Sequence, residues 1–142
     1  MSNFKRAAAA LALALATALT AVGANDEHPE AVAQSAAVAW LALMDTGNYA
    51  ASWDAAATIF RESIRREDWE ARAASLRGAT GALKARSLKS ETYTHDLPGA
   101  GSGDYVVIRF SSSFAQQGSA IETVIPMKGA DGAWRVAGYF IK

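Results

Sequence analysis

At Leu83 the spacing of apolar residues changes from a helical period to a period of two, which divides the chain into a helical half and a strand half. Residues 29 to about 45 carry Ala33, Ala37, Trp40, Leu41 and Met44 on one helical face, with Pro29 suited to a first turn and Gly47 to the exit. Ser52 is expected to cap a second helix whose buried stripe is Trp53, Ala57, Phe60 and Ile64. A third helix is expected from near Glu67 to Gly81, with Trp69, Ala73, Leu76 and Thr80 inward. Its acidic opening, Glu67-Asp68-Glu70, suits the positive end of the helix dipole.

The second half reads as four strands, at about 84–96, 104–115, 119–128 and 133–141. Turn-forming residues separate them at 97–103, at Gln117-Gly118 and at 129–132. Connections this short imply an antiparallel meander. Closing the last hairpin with Lys128 opposite Ala133 sets Ile125 against Val136, Thr123 against Gly138 and Ile121 against Phe140. Closing the preceding hairpin at Gln117-Gly118 sets Phe114 against Ile121, Ser112 against Thr123 and Phe110 against Ile125. Both registers put the large apolar residues on one face, which the helices are expected to cover. The expected fold is α+β, three N-terminal helices packed on a four-stranded antiparallel sheet.

Ahead of the helices, Lys5 and Arg6 precede a run of small apolar residues from Ala7 to Val22, and Val22-Gly23-Ala24 offers a peptidase site. This is the pattern of a secretory signal peptide over residues 1–24, cleaved after Ala24. Residues 25–142 are then a single exported α+β domain, periplasmic or secreted. The apolar run is shorter than the roughly 20 residues of a membrane span, so a membrane association is expected only if the leader stays uncleaved.

The chain has 14 basic and 14 acidic residues and is formally neutral, which argues against nucleic acid as a partner. It has no cysteine, which excludes disulfides, thiol catalysis and thiolate metal sites. His28 and His95 lack metal-ligand spacing, and no nucleophile elbow, phosphate loop or zinc-protease motif is present. No catalytic residue, metal site or cofactor is assigned.

Two places carry candidate site residues. On the expected inner face, Ser112, Thr123 and Gly138 form a row of small residues that either seats a helix tryptophan, Trp40 or Trp53, or floors a pocket with hydroxyl donors. Arg86 lies on the same face, and Arg77 lies at the edge of the third helix's buried stripe. Buried guanidinium groups must find partners. Arg77 and Arg86 therefore either clamp an external anion, with Ser112 and Thr123 at the pocket floor, or pair with Asp45, Glu62 or Glu122. On the expected outer face, Glu122 meets Tyr139 near Arg109 and Arg135, on a half-apolar surface that suits a symmetric homodimer or an ordinary polar exterior.

Trp40-Leu41, Asp45-Thr-Gly-Asn-Tyr49, Ser52-Trp53, Phe60-Arg61, Trp69, Arg77, Gly81 and Arg86 follow in order in the first half. Leu97-Pro98-Gly99, Gly103-Asp-Tyr105, Glu122-Thr123-Val124 and Asp131-Gly132-Ala-Trp134-Arg135-Val-Ala-Gly138-Tyr139 follow in the second. With this ordering, residues 31–142 resemble the bacterial family catalogued as domain of unknown function 4019. The resemblance implies an exported small domain without an assigned activity. Helices followed by a meander also resemble the cystatin-like and nuclear-transport-factor-2-like class, which implies a curved sheet wrapped into a cone.

The function expected from these residues is a non-catalytic module that binds a small anionic ligand or a protein partner between helices and sheet. The alternative is a structural homodimerisation module using the outer sheet face, and a small lyase or isomerase comes third.

Overall fold

The structure, a computed structural model, describes residues 28–142. The leader assigned to residues 1–24 and its cleavage site lie outside the described residues.

Helix α1 spans Pro29–Asp45 and buries Ala33, Ala37, Trp40, Leu41 and Met44, the five residues of the expected stripe. Its exit runs through Gly47 at φ +77°, a left-handed conformation that costs a glycine little. The stretch read as one second helix forms two short ones, α2 (Tyr49–Asp54) and α3 (Thr58–Ser63), so the described residues hold four helices and not three. The break has a tertiary cause. Ala57 is extended, and its amide N–H donates to the Val136 carbonyl at 2.8 Å, a bond to the sheet that a continuous helix would forbid.

Ser52 is not a cap. It sits inside α2, fully buried, and its carbonyl and hydroxyl accept the indole N–H groups of Trp40 (2.8 Å) and Trp69 (2.9 Å). Helix α4 (Arg66–Thr80) opens with Glu67 and Asp68 and buries Trp69, Ala73, Arg77 and Thr80. It stops at Gly81, at φ +78°, where an added Cβ would stand 3.1 Å from Gln116 and 3.2 Å from Ala115.

Strands β1 (Leu83–Leu97), β2 (Gly101–Phe114), β3 (Gln117–Lys128) and β4 (Trp134–Ile141) form one open antiparallel sheet in sequence order. The register around β3 differs from the expected one. The β2–β3 hairpin closes with Phe114 opposite Gln117, so the turn is Ala115-Gln116. The last hairpin closes with Lys128 opposite Trp134. Phe110 consequently faces Glu122 and not Ile125, and Thr123 faces Arg109 and Phe140.

The side-chain period of a strand is two, so this displacement moves Ala120, Glu122 and Val124 to the helix side and Ile121 and Thr123 to the outer side. Tyr139, opposite Val124, turns inward with them. Phe110, Ser112 and Phe114 keep the expected inner face and are buried.

Core aromatics pack around Trp40. Its ring centroid lies 5.2 Å from Tyr139 in an edge arrangement and 6.1 Å from Trp69, which Phe60 meets edge-on at 4.9 Å. Trp40, one of the two candidates to seat against the small-residue row, therefore lies between α4 and β4.

Candidate functional site

The displaced register builds a buried polar cluster where α1, α4 and the sheet meet. Glu122 is fully buried, and its carboxylate accepts four hydrogen bonds. Arg86 Nε (2.7 Å) and Ser112 Oγ (2.6 Å) donate to Oε1, while Arg86 Nη2 (3.2 Å) and Tyr139 Oη (2.5 Å) donate to Oε2. Asp45, at the last turn of α1, receives Arg86 Nη1 at 2.7 Å on one oxygen. Its other oxygen receives Arg86 Nη2 at 2.9 Å and Arg77 Nη2 at 2.7 Å. Arg77 also lies over the Phe114 ring, 5.0 Å from its centroid.

Of the two alternatives open for the arginines, their geometry here is the internal one: two guanidinium groups face two carboxylates of the same chain, Asp45 and Glu122. The cluster is balanced in charge and leaves no surplus cation for an external anion. Glu62, the third carboxylate considered, takes no part in any ion pair among the described residues.

The protonation states follow from the packing. Burial alone would lower the Arg86 basicity, but hydrogen bonds to Asp45 and Glu122 raise it well above the ordinary value. Burial opposes ionisation of Asp45, yet the hydrogen bonds of Arg86 and Arg77 hold its carboxyl below the usual aspartate range. Burial and the adjacent Glu122 carboxylate push the Tyr139 phenol far up, so it stays a proton donor. With the Asp45 carboxyl held ionised and the Tyr139 phenol held protonated, the cluster is suited to fixing structure.

The other sequence-derived candidates are dispersed. Thr123 is on the outer face, away from the pocket floor assigned to it, because β3 is displaced against β2 by three residues, an odd number that turns the strand over. For the same reason Glu122 and Tyr139, expected on the outer interface, are interior. Arg109 is exposed on the outer face as expected. Arg135 sits at the β3–β4 turn, where Asp131 accepts from its two terminal nitrogens at 3.0 and 2.7 Å. A half-buried pair joins Tyr93 to Asp104 (2.6 Å), with the exposed His95 placing Nδ1 3.0 Å from the same oxygen; Tyr93's hydrogen bond lowers the Asp104 pKa. Among the described residues no group of three or more His, Asp or Glu is placed to hold a metal, and no helix is long and apolar enough to cross a membrane.

A second concentration of charge lies outside. On the outer face, Lys89, Arg109 and Lys142 border a concavity of about 460 Å³ with Ile121, Thr123 and Phe140. Phe140 is 56% exposed. No Asp or Glu side chain lines the concavity, and none of the three cationic side chains has an ion pair among the described residues. Sequence reasoning singled out Arg109 but missed Lys89 and Phe140, since their common side depends on the register of β3 and on a bulge between Leu88 and Ser90.

A solved structure of a protein from Catenulispora acidiphila is similar in fold. It has a TM-score of 0.51 at 14% identity, covering 79% of this chain and 88% of the other. No curated protein matches the chain. Residues 36–139 match the family described as "Protein of unknown function (DUF4019)", and the chain belongs to that family.

Proposed function

We propose that this chain is an exported, non-catalytic binding module that takes an organic anion with an apolar portion on the outer face of its sheet. The observation that carries this reading is the concavity, lined by no Asp or Glu side chain, in which Lys89, Arg109 and Lys142 surround the exposed Phe140. Three cationic side chains converging with no Asp or Glu beside them favour an anionic guest. The Phe140 ring and Ile121 offer apolar contact beside them. Arg77 and Arg86, assigned to the anion from the sequence, serve instead to tie α1 and α4 to the sheet. Export rests on the leader pattern of residues 1–24.

The cystatin-like or nuclear-transport-factor-2-like cone remains our reading of the fold. Register shifts at Leu83/Ala85, Leu88/Ser90 and Thr94/Asp96 support it, because bulges bend and twist a strand. The homodimer reading loses support from the same charges. An isologous contact through this face would set the cationic patch near its own copy. Two of its named residues, Glu122 and Tyr139, are interior, and Arg135 pairs with Asp131.

Calorimetric titration of the mature chain with octyl phosphate tests the proposal, with octanol as the uncharged control. Binding of the phosphate alone, weakened about tenfold by Lys89→Ser with Arg109→Ser and by added salt, is the expected result. Both substituted positions are exposed. Absence of phosphate binding, or binding indifferent to the double substitution, would sink it.

A further inference from the structure

The sheet has an open edge beside a groove that adjoins the anion site and shares Phe140 and Lys142 with it. Ile121 and Lys142 exchange two backbone hydrogen bonds, at 2.8 and 3.0 Å. In an antiparallel ladder that pair fixes the phase of its neighbours. The pairs Thr123/Phe140 and Ile125/Gly138 are of the same type, so the N–H and C=O groups of Tyr139 and Ile141 point away from β3.

Strand β4 is the last in the sheet order. Among the described residues its outward side receives one backbone bond, from Ala57 to Val136, and none at Tyr139 or Ile141. Beside this edge, α3 and α4 leave a groove of about 850 Å³ lined by Phe60, Ile64, Trp69 and Leu76. Its charged lining is Arg65, Asp68, Arg72 and Lys142. Arg65 and Asp68 neutralise each other at 2.9 Å, and Arg72 and Lys142 are left as cations without an ion pair among the described residues.

We infer that β4 and this groove receive an extended segment of another polypeptide, added antiparallel or parallel as a fifth strand. Four outward backbone groups in phase are matched by another extended backbone and by little else. Strand side chains alternate, so every second residue of the segment enters the apolar groove. The cations Arg72 and Lys142 select acidic residues at the segment's solvent side. A second copy of this chain fits less well, because pairing β4 with itself would bring the two cationic rims together.

The test starts with amide hydrogen exchange on the mature chain alone, over a range of concentrations. Fast exchange at Tyr139 and Ile141 is expected. Protection at every concentration would mean that the chain covers its own edge, and protection that grows with concentration would mean a second copy. Either result overturns the inference. A phage-displayed library of random octapeptides is then selected against the intact chain, and enriched peptides are synthesised.

Acidic sequences with alternating apolar residues are expected. N-methylation of those peptides should lower affinity about tenfold at every second residue and little at the residues between, since only alternate N–H groups face β4. Arg72→Glu, at an exposed position, should weaken the same peptides severalfold while leaving octyl phosphate binding unchanged. No enrichment, or enriched peptides indifferent to backbone methylation, would overturn it.

Discussion

Arg86 on β1 reaches across β2 to Glu122 on β3, and the two side chains meet side-on through Nε–Oε1 at 2.7 Å and Nη2–Oε2 at 3.2 Å. Glu122 is fully buried and Arg86 nearly so, with 14% of its side chain exposed. The same guanidinium meets Asp45 at the end of α1, so one residue joins the helical layer to two strands.

Arg86→Ala leaves the Glu122 carboxylate buried beside only hydroxyl donors. Removing one partner of a buried pair costs about 3–5 kcal/mol, far more than the pair itself is worth relative to apolar replacements. Urea denaturation of the variant checks this, and a loss under about 1 kcal/mol would show that water or rearrangement reaches Glu122. Exchanging Arg86 and Glu122 together for apolar residues should recover much of the loss.

Ser52→Ala removes the hydroxyl that accepts the Trp69 indole N–H at 2.9 Å and itself donates to the Tyr49 carbonyl at 2.6 Å. The indole is then buried without its acceptor, at a cost of about 1–3 kcal/mol. Denaturation followed by tryptophan fluorescence gives the value. The Trp40 bond goes to the Ser52 carbonyl and should survive, so the native spectrum changes at one indole only.

Tyr139 makes the fold sensitive to alkali. Its pKa is raised in the folded state by burial and by Glu122, whereas in the unfolded chain it ionises near the ordinary 10.0. The folded chain holds the proton longer, so its stability is intact below pH 10 and falls as pH rises above it. Tyr139→Phe should lower stability near neutrality, through the lost Glu122 hydrogen bond, and flatten the decline above pH 10. Denaturation of both proteins between about pH 8 and 11 separates the two effects.

Gly81→Ala should destabilise by about 1–3 kcal/mol, because it adds a Cβ at φ +78° against Gln116 and Ala115 on the β2–β3 turn. The amide of Gln116 donates to the Thr80 carbonyl at 2.8 Å, so the variant should also loosen that turn. Faster amide exchange at Gln116, with the hairpin interior unchanged, is the expected signature.

Local patterns carried a large part of the architecture. The stripe Ala33–Ala37–Trp40–Leu41–Met44 buries as its spacing implies, and Trp69, Ala73 and Thr80 bury on α4 with Gly81 at the exit. The meander was legible from its short separators, although the turn expected at Gln117-Gly118 falls at Ala115-Gln116, and the inner face of β2 was legible from Phe110, Ser112 and Phe114. Strand β3 was not, because it has apolar residues at both parities, Ile121 and Ile125 on one side, Ala120 and Val124 on the other. Local alternation favours the bulkier set. One signal pointed the other way: two inward arginines need carboxylates, and Glu122 could reach them only if β3 turned over.

By itself, then, the sequence determined the switch from helix to strand, the order of the strands and the faces of α1, α4 and β2, all of which depend on spacing within a few residues. Tertiary structure alone decided that Ala57 leaves its helix to bond Val136, that Ser52 serves two tryptophans, and which face of β3 is buried. In each of these the deciding partner lies far along the chain. A buried amide, indole or carboxylate must find its partner wherever the fold presents one, and that requirement outweighs the weak preference of the local pattern.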